Sequence, residues 1–124
     1  FERLKNLVQE KGLNNYIGFL GGVPHDELPS HYQSVHLVVN LSHTGSIDKV
    51  VLEAMASGCQ VLTCNEAFEK ILDKKYLFRK KDPRDLAEKI VNLKKAEKDI
   101  GLREMVVKHH NLDNLIDRII KTFK

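Results

Sequence analysis

One stretch limits the possible folds more than any other. The apolar run Leu37-Val38-Val39-Asn40-Leu41 enters the small polar turn Ser42-His43-Thr44-Gly45-Ser46 and leaves it as a helix ending at Gly58. An apolar run without polar alternation is the signature of a strand covered on both faces. The helix expected over Ile47 to Ser57 carries one acid, Glu53, inside an otherwise apolar register of Leu52, Ala54, Met55 and Ala56. A strand passing through such a turn straight into a helix is how an α/β protein builds an anion site. The N–H groups of the helix's first turn have no intrahelical partner, and the helix dipole favours negative charge there. Gly45 has no side chain, so backbone can approach a ligand closely. Thr44, Ser46 or Asp48 can instead cap the same N–H groups. Glu53 lies well past the first turn and cannot be a cap; a sugar hydroxyl is its natural partner.

The chain's 124 residues suit one domain with one core. At 42% hydrophobic and 30% charged it is globular rather than disordered. The net charge is only +3, with both signs interspersed, so nothing resembles a nucleic-acid-binding stripe. No apolar run approaches the ~20 residues that span a bilayer, and no leader peptide is visible. Phe1-Glu2-Arg3-Leu4 reads as the middle of a helix, so the expectation is a piece of a longer protein. Cys59 and Cys64 flank one short strand, and their spacing puts them on opposite faces, as two half-buried thiols of a reducing compartment rather than a disulfide or metal pair.

Phe1, Leu4, Leu7 and Val8 form a helical stripe ended by Gly12. Tyr16 to Leu20 reads as a short strand before Gly21-Gly22, and Asp26 to Val35 as a short helix with Leu28 and Tyr32 on one face. Gln60 to Thr63 is the next buried strand, Phe68 to Leu72 one or two helical turns, and Tyr76 to Phe78 a last short strand. Asp82-Pro83-Arg84-Asp85 is a strong helix start, with an N-cap acid and proline at the first helical position. Another helix follows over Glu97 to Lys108. Asn111 caps the last, whose apolar face is Leu112, Leu115, Ile116, Ile119, Ile120 and Phe123. Strands alternating with helices predict a Rossmann-like α/β fold, a parallel sheet flanked by helices. Ligands of such sheets bind beyond the carboxyl ends of the strands, which singles out the loops Gly21 to His25, Ser42 to Ser46 and Cys64 to Phe68.

In this order, Phe19-Leu20-Gly21, Glu27-Leu28-Pro29, Tyr32, Leu37-Val38-Val39, Ser42, Leu52-Glu53-Ala54-Met55-Ala56-Ser57-Gly58, Val61-Leu62, Glu69, Asp82 and Leu86-Ala87 resemble the C-terminal domain of a GT-B glycosyltransferase of the group-1 (family 4) type. The resemblance covers nearly the whole chain, and Leu-Glu-Ala-Met-Ala-x-Gly is its most specific piece. It implies that residues 1–124 form the nucleotide-sugar (donor) half of a two-domain retaining enzyme needing no cofactor and usually no metal. The partner would be an N-terminal acceptor-binding domain, and the acceptor a glycan or lipid-linked glycan, as in polysaccharide biosynthesis. Glu53 matches the second acid of the family's Glu-x7-Glu motif, which accepts hydrogen bonds from the nucleotide ribose. Ile47 and Asp48 match positions whose N–H groups hold the diphosphate, and Gly21, Gly22 and Val23 lie where the loop beside the base is expected. The implied location is the cytoplasm or the inner face of a membrane.

The departures carry information. The first acid of the motif falls at position 45, where this chain has Gly45; Thr44-Gly45-Ser46-Ile47-Asp48-Lys49 resembles a Thr-Gly-Ser-Leu-Asp-Lys variant within the group. Gln60 replaces the usual proline, and Asn65-Glu66-Ala67-Phe68 replaces a glycine-rich turn. Lys49 is the local cation for a diphosphate, and His43 either donates to the donor or merely lines the loop. His25 and His31 read as surface residues, and His109-His110 has no neighbours at metal-ligand spacing. The run Lys74-Lys75 to Arg79-Lys80-Lys81 reads as a solvated loop, with weak anionic-lipid association as the rival. No catalytic group is assigned. Two other readings stay open: a degenerate module that binds nucleotide-sugar without turnover, for which Gly45 speaks, and a two-domain nucleotide-sugar epimerase.

Overall fold

The computed structural model describes residues 1–122 and runs α1 (Glu2–Glu10), α2 (Leu28–Ser34), β1 (Leu37–Asn40), α3 (Lys49–Ala56), β2 (Gln60–Thr63), α4 (Pro83–Lys95), α5 (Gly101–His109) and α6 (Leu112–Thr122). Phe123, assigned above to the last apolar face, lies outside the described residues. The strands on either side of the Ser42–Ser46 turn and its helix pair in parallel, Leu37 opposite Gln60 through Asn40 opposite Thr63. Parallel pairing requires a crossover, and α3 supplies it. The result is a small parallel sheet flanked by helices, the α/β class expected from the sequence.

The β2 strand is buried at every position, whereas β1 is only partly covered and Val39 is 37% exposed. The nearly all-apolar composition of β1 therefore overstated its burial. The core lies between β2, α3 and α5: Val51, Ala54 and Met55 from α3 meet Val61 and Leu62, and Leu102 and Val106 close it from α5. Full burial of each larger side chain is worth about 1.5–3 kcal/mol. Asp82 caps α4 as the sequence predicts, accepting from Arg84 N at 3.1 Å and Asp85 N at 3.0 Å. Asn111 caps α6, accepting from Asn114 N at 2.7 Å. The apolar face of α6 is present, but none of its described residues is buried.

Other boundaries move for identifiable reasons. Tyr16 to Leu20 is not a strand: it pairs with nothing, and Tyr16 and Leu20 are 83% and 78% exposed. Only Ile17 and Phe19 of the run turn back toward α1, where the Phe19 ring meets Phe1 edge-on at 5.3 Å. Tyr76 to Phe78 contributes a single bridge, Leu77 to Thr63, because Lys74–Tyr76 curls into a 3-10 turn. Phe68 to Leu72 closes a single turn, Leu72 N donating to Phe68 O at 2.8 Å, and a 3-10 turn over Glu66–Phe68 leads into it. The helix expected from Glu97 begins at Gly101, because the segment before it is tied to the core. Gln60 Nε2 donates to Glu97 O at 2.9 Å, and Asp99 accepts from the Tyr76 hydroxyl at 2.7 Å and from Lys75 Nζ at 3.0 Å. The Tyr76 and Lys75 hydrogen bonds hold the Asp99 carboxyl below its ordinary range. Burial first, and then the bond to Asp99, push the Tyr76 hydroxyl up to about 12.

Candidate functional site

The turn after β1 is built around one buried side chain that the sequence did not single out. Asn65, directly beyond β2, is 1% exposed. Its Nδ2 donates to Ser46 O at 2.6 Å and to Asp48 Oδ2 at 2.9 Å, and its Oδ1 accepts from Ala67 N at 3.0 Å. The Asn65 N–H donates to Thr63 Oγ1, which in turn donates to Asn40 Oδ1 at 3.1 Å. The carboxyl ends of both strands and the loops that leave them are thus joined by one polar network, with no buried side-chain polar atom left unpartnered among the described residues.

This network determines what happens at the start of α3. Asp48 is the N-cap residue, extended at φ −79° and ψ 121°, so the helix begins at Lys49 rather than Ile47. An aspartate here ordinarily bonds the first-turn N–H groups. It does not do so in this chain. One Asp48 oxygen is held by Asn65, and the other accepts from Ser42 Oγ at 3.4 Å. Thr44 and Ser46 do not cap either; their hydroxyls bond each other at 3.0 Å. The first turn of α3 is therefore left without a side-chain cap, the condition in which a helix N-terminus receives an anion. Lys49 and Ile47 are exposed beside it, and His43 bends back with Nδ1 3.3 Å from Leu41 O. Gly45 has φ +75°, a conformation that favours glycine.

Glu53 stands farther along α3, its side chain 35% exposed. The Tyr32 hydroxyl of α2 donates to its Oε2 at 3.2 Å, and His25 Nε2 lies 4.0 Å from Oε1. Burial, the Glu53 charge and this hydrogen bond together raise the Tyr32 hydroxyl above its ordinary value, so at neutral pH it is a neutral donor. A cavity of about 190 Å³ adjoins the carboxylate, floored by Leu28 and Pro29 of α2 and Ala56 of α3. One Glu53 oxygen is thus held and the other faces a partly apolar pocket.

Of the residues expected at the site, Ser42 and Asp48 are joined by the network to Ser46, and Thr44 is joined to Ser46 by its hydroxyl. The loop before α2 reaches Glu53 only through His25; Gly21, Gly22 and Val23 make no hydrogen bond or ion pair to the Ser42–Asp48 loop among the described residues. Sequence reasoning missed the pairing of Tyr32 with Glu53, which are 21 positions apart. It also missed Asn65, for which a signal existed: an asparagine opening a tight turn bonds the backbone two residues on. The basic run is largely paired within the chain. Lys75 meets Asp99, Lys80 meets Glu66 at 3.0 Å, and Arg79 meets Asp82 and Asp85.

Residues 2–96 match the family model described as glycosyl transferases group 1. Among solved structures, the chain is similar to the C-terminal domain of the glycosyl transferase group 1 family protein LpcC from Francisella tularensis, with 28% identity and a TM-score of 0.77. That match covers 90% of this chain and 62% of the other, so the chain spans less than two thirds of the domain it resembles. No curated protein matches.

Proposed function

The chain belongs to the group 1 glycosyl transferases, and from that premise we propose that it is the donor-binding domain of a retaining, family 4 type enzyme that takes a sugar from a nucleotide-sugar. The observation that carries the reading is the start of α3. A cap acid is present but drawn aside by Asn65, so with Val51 N already donating to Asp48 O at 3.1 Å, the Lys49 and Val50 N–H groups are the ones free for phosphate oxygens. A diphosphate bears about two negative charges and the helix terminus supplies only about half a positive one, so Lys49 provides the nearby cation. Glu53, steadied on one side by Tyr32, offers its remaining lone pairs to the ribose hydroxyls, with the base against the pocket at His25 and Leu28. Donor affinity then comes from fixed dipoles and one acceptor. Catalysis in the two-domain enzyme comes from positioning and from stabilising the departing diphosphate. The acceptor, a glycan or lipid-linked glycan, falls to an N-terminal domain of the same protein. We place the enzyme in the cytoplasm. No helix of the described residues is long and apolar enough to cross a membrane, and with Lys75, Arg79 and Lys80 paired internally, contact with a membrane face would rest on Lys74 and Lys81.

Titrating the chain by NMR with UDP, GDP and ADP, and with the corresponding nucleosides, tests this. The diphosphates shift Ser46 to Val50 and Glu53; the nucleosides leave Ser46 to Val50 in place. Glu53→Ala weakens the best diphosphate about tenfold, the loss of roughly one charge-assisted hydrogen bond. Equal affinity for wild type and Glu53→Ala would sink the ribose assignment. Gly45 favours one rival, a module that binds donor without turnover; donor hydrolysis by the chain joined to its acceptor domain separates the two.

A further inference from the structure

We propose that Glu66 is the carboxylate that reads the glycosyl group of the donor, delivered through space to the turn whose own tip residue, Gly45, has no side chain. The proposal rests on the donor-binding reading above and adds a residue that reading does not use. A Cβ built on Gly45 would stand 3.4 Å from Glu66 Oε1, so the carboxylate lies directly over the tip of the Ser42–Asp48 turn. The other oxygen, Oε2, accepts from Lys80 Nζ at 3.0 Å.

Two features fix this placement. Glu66 follows Asn65, whose buried side chain ties the turn after β2 to Ser46 and Asp48, so the backbone carrying Glu66 is anchored to the loop it overlies. Gly45 at φ +75° keeps the space above the turn open; any other L residue there would be strained and in contact with the carboxylate. The Glu66 side chain is 59% exposed, and it lines a cavity of about 550 Å³ with Glu69, Phe78 and Lys80, within the size range of small-molecule sites. Lys49 is four residues beyond Gly45, and four residues of chain span at most about 14 Å, so Gly45 lies within that reach of the uncapped start of α3. A group linked to a diphosphate at that helix end meets Glu66 next.

An ionised carboxylate only accepts hydrogen bonds, so its partners are the hydroxyls of a sugar ring. An acid at position 45 and Glu66 would crowd two like charges together, so this chain can carry one or the other at low cost, not both.

The test uses the 124-residue chain and the nucleotide base that binds best, comparing UDP with UDP-glucose, GDP with GDP-mannose or ADP with ADP-glucose by NMR titration. Glu66→Gln and Glu66→Ala are expected to weaken the nucleotide-sugar about tenfold while leaving the nucleoside diphosphate within about twofold. A role confined to structure would move both ligands together or neither, and either result overturns the proposal; unchanged thermal midpoints confirm that both variants fold. If the wild-type chain binds no nucleoside diphosphate at Ser46 to Glu53, the donor-binding reading fails first and Glu66 loses its substrate with it.

Discussion

Asn65→Ala puts the polar network at the strand ends to the test. The substitution removes three hydrogen bonds: the neutral ones to Ser46 O and from Ala67 N, and the charge-assisted one to Asp48. Neutral bonds contribute about 1 kcal/mol each and a charged partner about 1.5–3 kcal/mol, a gross loss near 4 kcal/mol. Asp48 is only half-buried, so water replaces part of its lost bond, and a net destabilisation of about 2–3 kcal/mol remains. For a domain of this size that lowers the thermal midpoint by roughly 10 °C. A second effect distinguishes the network from ordinary packing. Once released, the Asp48 carboxylate is free to swing onto the first-turn N–H groups of α3 and cap them, in direct competition with an anion. Nucleoside diphosphate affinity therefore falls about tenfold or more at a temperature where the variant is fully folded. Asn65→Asp sharpens the argument, because it places two carboxylates at the 2.9 Å contact now made by Nδ2 and Asp48. One of the pair then titrates above its unfolded value, so the variant is at least as unstable as Asn65→Ala at pH 7 and recovers as pH falls toward 4. Thermal unfolding by circular dichroism and diphosphate titration measure both effects. A midpoint shift under about 2 °C for Asn65→Ala would refute the view that this side chain holds the loop.

The Tyr76 hydroxyl, pushed up to about 12, gives an alkaline signature. The unfolded chain releases this proton near pH 10 and the folded one does not, so the contribution is complete below pH 10 and is lost as pH rises toward 12. Urea unfolding across that window should show a falling stability in wild type and a flatter slope in Tyr76→Phe; identical slopes would contradict the assignment. Burial pushes the Cys59 thiol up and leaves it 1% exposed, whereas the half-buried Cys64 sits 3.6 Å from Leu41 O beside the Ser42–Ser46 turn. A thiol reagent at neutral pH should therefore modify Cys64 alone in the native state, and a bound nucleoside diphosphate should slow that reaction; rapid labelling of Cys59 would show that β2 is less buried than described.

The sequence disclosed those parts of the fold whose cause is local. Asp82 before Pro83, and Asn111 before Leu112, announce helix starts because a cap is a contact between near neighbours, and both caps form. β1 and β2 were legible from composition and α3 from periodicity. Tyr16 to Leu20 has the composition of a strand, but a ladder needs a second strand at the right spacing, and composition carries no information about that. The late start of α5 depends on Gln60, Lys75 and Tyr76 reaching the segment before it, contacts made across 23 to 37 positions. At the site, Glu53 and the turn before α3 were visible as a motif. The Tyr32 hydroxyl on Glu53, and the Asn65 amide on Asp48, arise only when separate elements meet.

Two oddities of the sequence become one in space. Gly45 in place of an acid, and Asn65-Glu66-Ala67-Phe68 in place of a glycine-rich turn, sit 20 positions apart and look unrelated. In the fold the second is built against the first: Asn65 fastens to the loop at Ser46 and Asp48, and Glu66 overlies Gly45. A glycine-rich turn would offer neither the amide that draws Asp48 off the helix nor the carboxylate above the turn. A side chain at position 45 would contact that carboxylate and carry the strain of a positive φ. An acid restored at position 45 would face Glu66 across that contact, so Gly45→Glu alone should damage the site more than Gly45→Glu combined with Glu66→Gly. Gly45→Glu should weaken diphosphate binding in the wild-type background, and Glu66→Gly should lessen that loss by removing the facing charge.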